Sequence, residues 1–203
     1  MKKVIFTIIV ASFIMGCNRV APVKTIENLN AAFIGESTAS ARYEAFARIA
    51  ADAGNTAVAV LFKAASKSEA IHAGNHKKVL EGLGQVVKPV NPEITTADVL
   101  ANLNTALSGE SYEVSTMYPG FIASAKNENV KKAVKSFNWA FDTEKKHQVF
   151  YAAAIKAITD STETSLPEGY AICPVCGNTY DVSAMDEKCA FCQTPNKEFI
   201  IVK

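Results

Sequence analysis

Glu36, the pair Glu69 and His72, the pair Glu110 and Glu113, and the pair Glu144 and His147 each fall in the middle of a long helical stretch. A helical bundle that holds two metal ions supplies these donors: one inward Glu from each of two helices and a Glu-x-x-His pair from each of the other two. Residues three apart on a helix lie roughly 60° apart around its axis, so the Glu and His of a pair face one side and can reach one ion. A single Glu-x-x-His reads as solvated helix surface. Four groups on matching faces and heights read as a site for two iron or two manganese ions, and Glu113 adds a carboxylate beyond the minimal set.

The heights follow from the turns. Glu36 lies about 18 residues before Gly54-Asn55 and His72 about 18 after it; Glu110 lies about 18 before a second turn near Glu128 and His147 about 19 after it. At about 1.5 Å per residue, antiparallel helices bring all four groups to one level within about a turn. The chain also repeats itself. Gly35-Glu36-Ser37 recurs as Gly109-Glu110-Ser111, an offset of 74, and Glu69-x-x-His72 recurs as Glu144-x-x-His147, an offset of 75. A duplicated helix pair gives a pseudo-two-fold site with one metal in each half.

A second set of ligands lies near the C-terminus. Cys173-Pro-Val-Cys176 and Cys189-Ala-Phe-Cys192 are two Cys-x-x-Cys knuckles separated by 12 residues. Such knuckles hold a tetrahedral four-thiolate site for zinc or iron, and the spacing leaves that choice open. The two-residue spacing favours a chelate over a structural disulfide. Tyr170 to Lys203, roughly 34 residues, cannot bury enough surface to fold alone, so a metal becomes the module's core, helped by Tyr180, Phe191 and Phe199.

The elements that must position these groups are legible from apolar periodicity and stop signals. Leu29, Ala32, Phe33, Phe46 and Ile49 mark a helix from about Thr25 to Asp52, and a second runs from about Thr56 to Glu81, ending at Gly82 or Gly84. Gln85 to Thr95 contains Pro89 and Pro92 and reads as the one long crossover of a ferritin-like bundle. Thr96-x-Asp98 opens a third helix reaching about Asn127, interrupted or kinked at Pro119, and a fourth runs from about Val130 to Ile158. His76 reads as a partly exposed helix residue, and Trp139 and Phe141 as core. The predicted organisation is a leader over 1–16, a tether over 17–24, a bundle over 25–158, a linker over 159–169 and the cysteine module over 170–203.

Of the 203 residues, 49% are hydrophobic and the net charge is +1, which leaves no basic footprint for nucleic acid. Met1-Lys2-Lys3 followed by an apolar run of about 12 residues, Val4 to Met15, suits a secretory signal and is too short to span a bilayer. Ile14-Met15-Gly16-Cys17 resembles the lipobox of bacterial lipoproteins, in which Cys17 would be lipidated and become the new N-terminus. Loss of Lys2 and Lys3 would leave 19 basic against 20 acidic residues. The expected location is therefore the bacterial cell envelope, with a cytoplasmic protein as the alternative.

With both ligand sets read, residues 28–203 resemble the rubrerythrin family. The resemblance rests on Ala32-Phe33-Ile34-Gly35-Glu36-Ser37, both Glu-x-x-His pairs, Glu110-x-x-Glu113, Met117-Tyr118-Pro119 and Cys173-Pro-Val-Cys176-Gly177 with its second knuckle. It implies an all-α ferritin-like four-helix bundle with a small, metal-stabilised rubredoxin-like module. It implies two irons held by Glu36, Glu69, His72, Glu110, Glu113, Glu144 and His147, and one iron held by Cys173, Cys176, Cys189 and Cys192. It implies reduction of hydrogen peroxide to water, electrons arriving through the one-iron site from an unidentified donor, a rubredoxin-type carrier or a reductase, and head-to-tail association into a homodimer or larger assembly that brings the one-iron site of one subunit close to the di-iron site of another. Glu113 would let one iron change ligands between oxidation states, while Tyr43 and Tyr118 occupy positions that hydrogen-bond around the site. Two other readings compete. One is a non-catalytic iron-binding or ferroxidase-like storage protein; the other is an interaction protein with a zinc ribbon.

Overall fold

A computed structural model describes residues 21–203; the expected leader and Cys17 lie outside the described residues. Helix α1 spans Val23–Asp52 and α2 spans Thr56–Gly82. Gly54 joins them at φ +78°, a left-handed position that an L side chain resists, and Asn55 N–H closes the turn on Ala50 C=O at 2.8 Å. After the crossover, Asp98 caps α3 (Val99–Tyr112) by accepting from Ala101 N–H at 2.8 Å. The Asn102 side chain grips both backbone groups of Ala97 at 2.9 Å, which fastens the end of the crossover.

The third helix breaks earlier than Pro119. A π-helical turn, Glu113–Met117, follows α3, and α4 then runs Tyr118–Asn127 with Pro119 in its first turn. Proline has no N–H to give, so it suits a helix start; the extra residue of the π turn is inserted just before it. Helix α5 spans Lys131–Asp160. Pro22 gives α1 no side-chain cap, and Glu128 in the α4–α5 turn replaces it, accepting from Lys24 N–H at 3.1 Å and Thr25 N–H at 2.7 Å.

The bundle has two apolar cores. One gathers Tyr43, Phe46, Leu61, Phe62, Leu103 and Tyr151; the other gathers Leu29, Phe33, Leu80, Tyr118, Ile122 and Phe137. Glu36, Glu69, His72, Glu110, Glu144 and His147 are buried as well, on the helix segments that run from one core to the other. Buried alanines such as Ala32, Ala65, Ala106 and Ala140 let the helices approach closely. None of the described helices is long and apolar enough to cross a membrane.

The C-terminal module is a three-stranded antiparallel sheet: β1 (Tyr170–Ile172) lies between β2 (Thr179–Asp181) and β3 (Ile200–Val202). Tyr180 and Phe199 stack at 5.4 Å inside it. The expected linker does not separate two independent cores. Strand β1 alternates, so Ala171 faces the module's interior while Tyr170 and Ile172 join the bundle core, Tyr170 edge-on to Phe150 at 5.1 Å. Trp139 packs against this module rather than the bundle core, and Phe141 lies at the rim of the bundle under Lys145, 3.7 Å from its ring.

Phe62 is fully buried among Phe46, Tyr151 and Tyr43, with ring centroids at 5.3, 5.6 and 6.0 Å. Phe62→Ala is expected to cost about 3–5 kcal/mol, read as a lower denaturation midpoint at unchanged metal content. An unchanged midpoint would show that this aromatic cluster is not the core it is taken to be.

Candidate metal centre

Each of the four long helical segments delivers its group to one buried layer. Glu36 comes from α1, Glu69 and His72 from α2, Glu110 from α3, and Glu144 and His147 from α5; all six are at most 2% exposed. They form two overlapping sets of four donors within 4.8 Å of one another: Glu36, Glu69, His72 and Glu144, then Glu69, Glu110, Glu144 and His147. Glu69 and Glu144 belong to both sets, so they are placed to bridge. His72 Nδ1 lies 2.9 Å from Glu69 Oε2 and 2.9 Å from Glu144 Oε1; His147 Nδ1 lies 3.0 Å from Glu69 Oε1 and 2.8 Å from Glu144 Oε2. Glu36 and Glu110 lie farther out at 4.0 and 3.9 Å, one at each end. This is the pseudo-two-fold site that the internal repeat suggests.

The layer needs cations. Glu36 Oε2, Glu69 Oε1, Glu110 Oε2, both Glu144 oxygens and His147 Nδ1 are buried without a well-directed hydrogen-bond partner, although His147 Nδ1 stands within ion-pair distance of two carboxylates. Buried charge left unpaired costs several kcal/mol per group, and two divalent ions facing these lone pairs would remove that cost. Burial, reinforced by neighbouring carboxylates, pushes Glu36, Glu110 and Glu113 well above the usual carboxylate range. Against the burial that would lower it, Glu69 and Glu144 carry His147 up to about 10. Glu69 resists its own desolvation through His147 and His72 and falls to about 2. The residues fit two hard or borderline cations held by carboxylate and imidazole.

Tyrosines brace the terminal carboxylates. Tyr43 donates to Glu110 Oε1 at 2.6 Å, and Tyr118 donates to Glu36 Oε1, leaving the other oxygen of each Glu free to face a metal. Each tyrosine thus crosses to the Glu of the other repeat. Glu36 precedes Tyr43 by seven residues and Glu110 precedes Tyr118 by eight. The additional residue is absorbed by the π turn, and it accounts for the repeat offset changing from 74 to 75. Glu113 sits in that turn, half-buried, outside both four-donor sets; Glu36 is the first of the charges that raise it.

His76 is a correction to the sequence reading. It is fully buried, with Nε2 3.2 Å from the Tyr118 hydroxyl and Nδ1 2.8 Å from Ser136 Oγ. The signal was present: His76 lies one turn beyond His72 on the same face, and the offset of 75 maps it onto Tyr151, which backs the other half of the site.

The cysteine module rests on this centre. Ser68 Oγ donates to Gly177 C=O at 2.7 Å, Asn75 Nδ2 to Val175 C=O at 2.9 Å, and His147 Nε2 lies 3.0 Å from Thr179 Oγ1. Gly177 has φ +85°, and a Cβ there would meet His72 Nε2 at 2.3 Å, so only glycine permits this approach. The contact that the family resemblance places between subunits is made here within one chain. Cys173, Cys176, Cys189 and Cys192 form no disulfide; Sγ atoms of Cys173 and Cys192, and of Cys176 and Cys189, stand 3.4 Å apart. That is near the edge of about 3.8 Å expected for a thiolate tetrahedron with bonds of about 2.3 Å. Asn178 Nδ2 points at Cys189 Sγ at 3.6 Å, a donor toward thiolate charge.

A ferritin-like bundle with a paired carboxylate and histidine site, joined to a tetracysteine module of rubredoxin type, defines a non-haem iron protein with a di-iron and a one-iron centre. Comparison with known proteins agrees. The Rubrerythrin family model matches residues 27–155. The chain is 36% identical to nigerythrin of Nitratidesulfovibrio vulgaris over 176 residues, covering 86% of this chain and 85% of that protein. It is 31% identical to rubrerythrin-2 of Clostridium acetobutylicum, covering 86% and 95%. The fully reduced, all-ferrous structure of nigerythrin superposes with a TM-score of 0.79 at 33% identity, over 93% of this chain and 91% of that one. The chain belongs to the rubrerythrin family. Its metals are two irons at the carboxylate–histidine site and one at the tetracysteine cluster, and its class is that of di-iron oxidative-stress proteins.

The titrations give a test on metal-free protein. His147 has a folded value near 10 against about 6.5 unfolded, so its stabilisation is complete below about pH 6.5 and is lost as pH rises toward 10. The raised carboxyls act in the same direction, since the folded state holds protons that the unfolded state has released. Stability of the metal-free chain is therefore expected to fall between pH 6.5 and 9, while the iron-loaded chain changes little there. Parallel pH profiles of the two denaturation midpoints would contradict this.

Proposed function

We propose that this chain is a peroxidase that reduces hydrogen peroxide to water at the di-iron centre, fed with single electrons through its tetracysteine iron. The observation that carries this reading is the module seated on His72 and His147, since a storage protein has no need of an electron entry there. Two ferrous ions would supply together the two electrons that, with two protons, convert one peroxide to two waters. The protein's own work is positional. Glu69 and Glu144 hold the two halves at a fixed separation, Tyr43 and Tyr118 orient the terminal carboxylates, and the apolar cores strengthen every interaction between them. Glu113, in the π turn beside Glu36, is the carboxylate free to change its engagement with oxidation state.

The storage reading draws on likeness to a bacterioferritin of Desulfovibrio desulfuricans, at 20% identity and a TM-score of 0.66, which speaks to fold alone. The electron donor on the present reading is a separate one-electron carrier of rubredoxin type, and the working assembly is a homodimer or larger.

Peroxide turnover with a reduced rubredoxin-type donor tests the function. Cys173→Ser is expected to lower turnover at least about 100-fold while chemically pre-reduced protein still consumes one round of peroxide. Gly177→Ala, which keeps all four thiolates but drives a methyl into His72, is expected to slow electron delivery about tenfold or more. Glu113→Ala should keep its metal and turn over more slowly. Wild-type rates in Cys173→Ser and Gly177→Ala would remove the relay.

Residues 14–17 support a further proposal, that the mature protein is held at the cell envelope by a lipidated Cys17. Diacylglyceryl modification supplies the two chains that stable anchoring takes, and about five residues of tether would hold the bundle close to the bilayer. Mass spectrometry of the N-terminus in membrane fractions should find acylated Cys17, and Cys17→Ser should release the protein; a soluble chain starting at Met1 would contradict it.

A further inference from the structure

Behind Glu36 lies a polar layer that Glu110 lacks. The Tyr118 hydroxyl donates to Glu36 Oε1, His76 Nε2 stands 3.2 Å from that hydroxyl, and Ser136 Oγ stands 2.8 Å from His76 Nδ1. His76 and Tyr118 are fully buried and Ser136 is 5% exposed. A phenol carries one proton. With Glu36 a metal-ligating carboxylate that can only accept, the Tyr118 proton is committed to it, and the Tyr118 oxygen can take a hydrogen bond only from His76. His76 then carries its proton on Nε2, and Nδ1 accepts from Ser136. Every donor in the row points toward the metal layer.

The surroundings keep His76 neutral. It is fully buried and faces Glu36 at 4.0 Å, Tyr118, Ser136 and the Phe137 ring at 5.3 Å, with His72 on its own helix, so burial keeps out the water that would solvate a second proton. The other half of the repeat shows what is special here. The offset of 75 maps Phe137 onto Phe62, but His76 onto Tyr151 and Ser136 onto Leu61. Tyr151 lies edge-on behind Tyr43 at 5.6 Å with its own hydroxyl lacking a well-directed partner, and Leu61 offers no hydrogen bond.

We propose that His76 is a positioning residue which, protonated on Nε2, donates to the Tyr118 oxygen and so directs that hydroxyl onto Glu36, making the two halves of the di-iron site inequivalent. The assignment rests on the two-metal site and not on peroxide chemistry. Ser136 satisfies Nδ1, but a hydroxyl that both donates and accepts fits either tautomer; the bond from Tyr118 to Glu36 selects the one protonated on Nε2. In the form protonated on Nδ1, His76 Nε2 becomes an acceptor and draws the Tyr118 proton away from Glu36.

The test uses the full chain loaded with zinc, which is diamagnetic, and long-range proton–nitrogen spectra that report the tautomer of each labelled histidine. The wild type is expected to show a neutral His76 protonated on Nε2, assigned by its loss in His76→Gln, and Tyr118→Phe, which leaves only the two-way Ser136 hydroxyl, is expected to show a mixture of both neutral forms. In iron-loaded protein, His76→Leu should slow oxidation by peroxide about tenfold at unchanged metal content, the scale of one lost hydrogen bond. His76→Gln, whose amide both donates and accepts, should recover most of that rate. A wild-type His76 protonated on Nδ1 or doubly protonated would overturn the proposal, as would a Tyr118→Phe spectrum identical to the wild type. The spectra decide even where His76→Leu fails to fold, and independently of whether peroxide is the substrate.

Discussion

Carboxylates and imidazoles buried together, without enough hydrogen bonds to satisfy them, are the constraint from which the rest of this molecule follows. Glu36, Glu69, Glu110, Glu144, His72 and His147 are at most 2% exposed, and most of their inward lone pairs lack well-directed partners. Two cations resolve the layer in one step, because each supplies positive charge to several oxygens at once. The apolar cores make that pairing strong, since little water reaches the layer to screen it. The tyrosines, the alanine-lined helix contacts and the module's close seat on the histidines all act to hold this arrangement.

The site is nearly symmetric, and its departures from symmetry lie on one side. One additional residue between Glu110 and Tyr118 forces a π turn, and Glu113 sits in it. Subtracting the local offset of 74 maps Glu113 onto Ala39, a buried residue with no donor. Glu36, Tyr118, His76 and Ser136 lie on the same side as Glu113, whereas Glu110 is backed by Tyr43, Tyr151 and Leu61. A duplicated pair of helices has thus acquired one adaptable half and one rigid half.

Much of this was legible in the chain because helical periodicity and metal spacing are local signals. Glu-x-x-His on a helix and Cys-x-x-Cys in a knuckle carry their geometry in three or four residues, so the ligands could be named before the fold. The two Glu-x-x-His pairs and the glycine-marked turn at Gly54 fixed the heights. Three features were not legible for a common reason, which is that each depends on contacts distant in sequence. His76 shares the inward face of His72, which marks it for burial, but the flanking Lys77 and Lys78 give it the look of a surface residue and nothing local names Tyr118, 42 residues away, as its partner. Tyr170 and Ile172 looked like module residues, yet strand alternation turns them into the bundle core. Pro119 by itself points to a break at the proline, whereas the chain accommodates its additional residue in the turn before it. The offsets of 74 and 75 held that information, and only the crossed tyrosine bonds show what it means.

The central claim, that one chain carries a coupled pair of oxygen- and nitrogen-ligated irons beside one thiolate iron, is tested most directly by Mössbauer spectroscopy of protein loaded with iron-57 and oxidised. The account predicts two components in a ratio of two to one: a majority from a spin-coupled ferric pair and a minority with the parameters of tetrahedral ferric thiolate. A single component, or a majority of uncoupled iron, would contradict it.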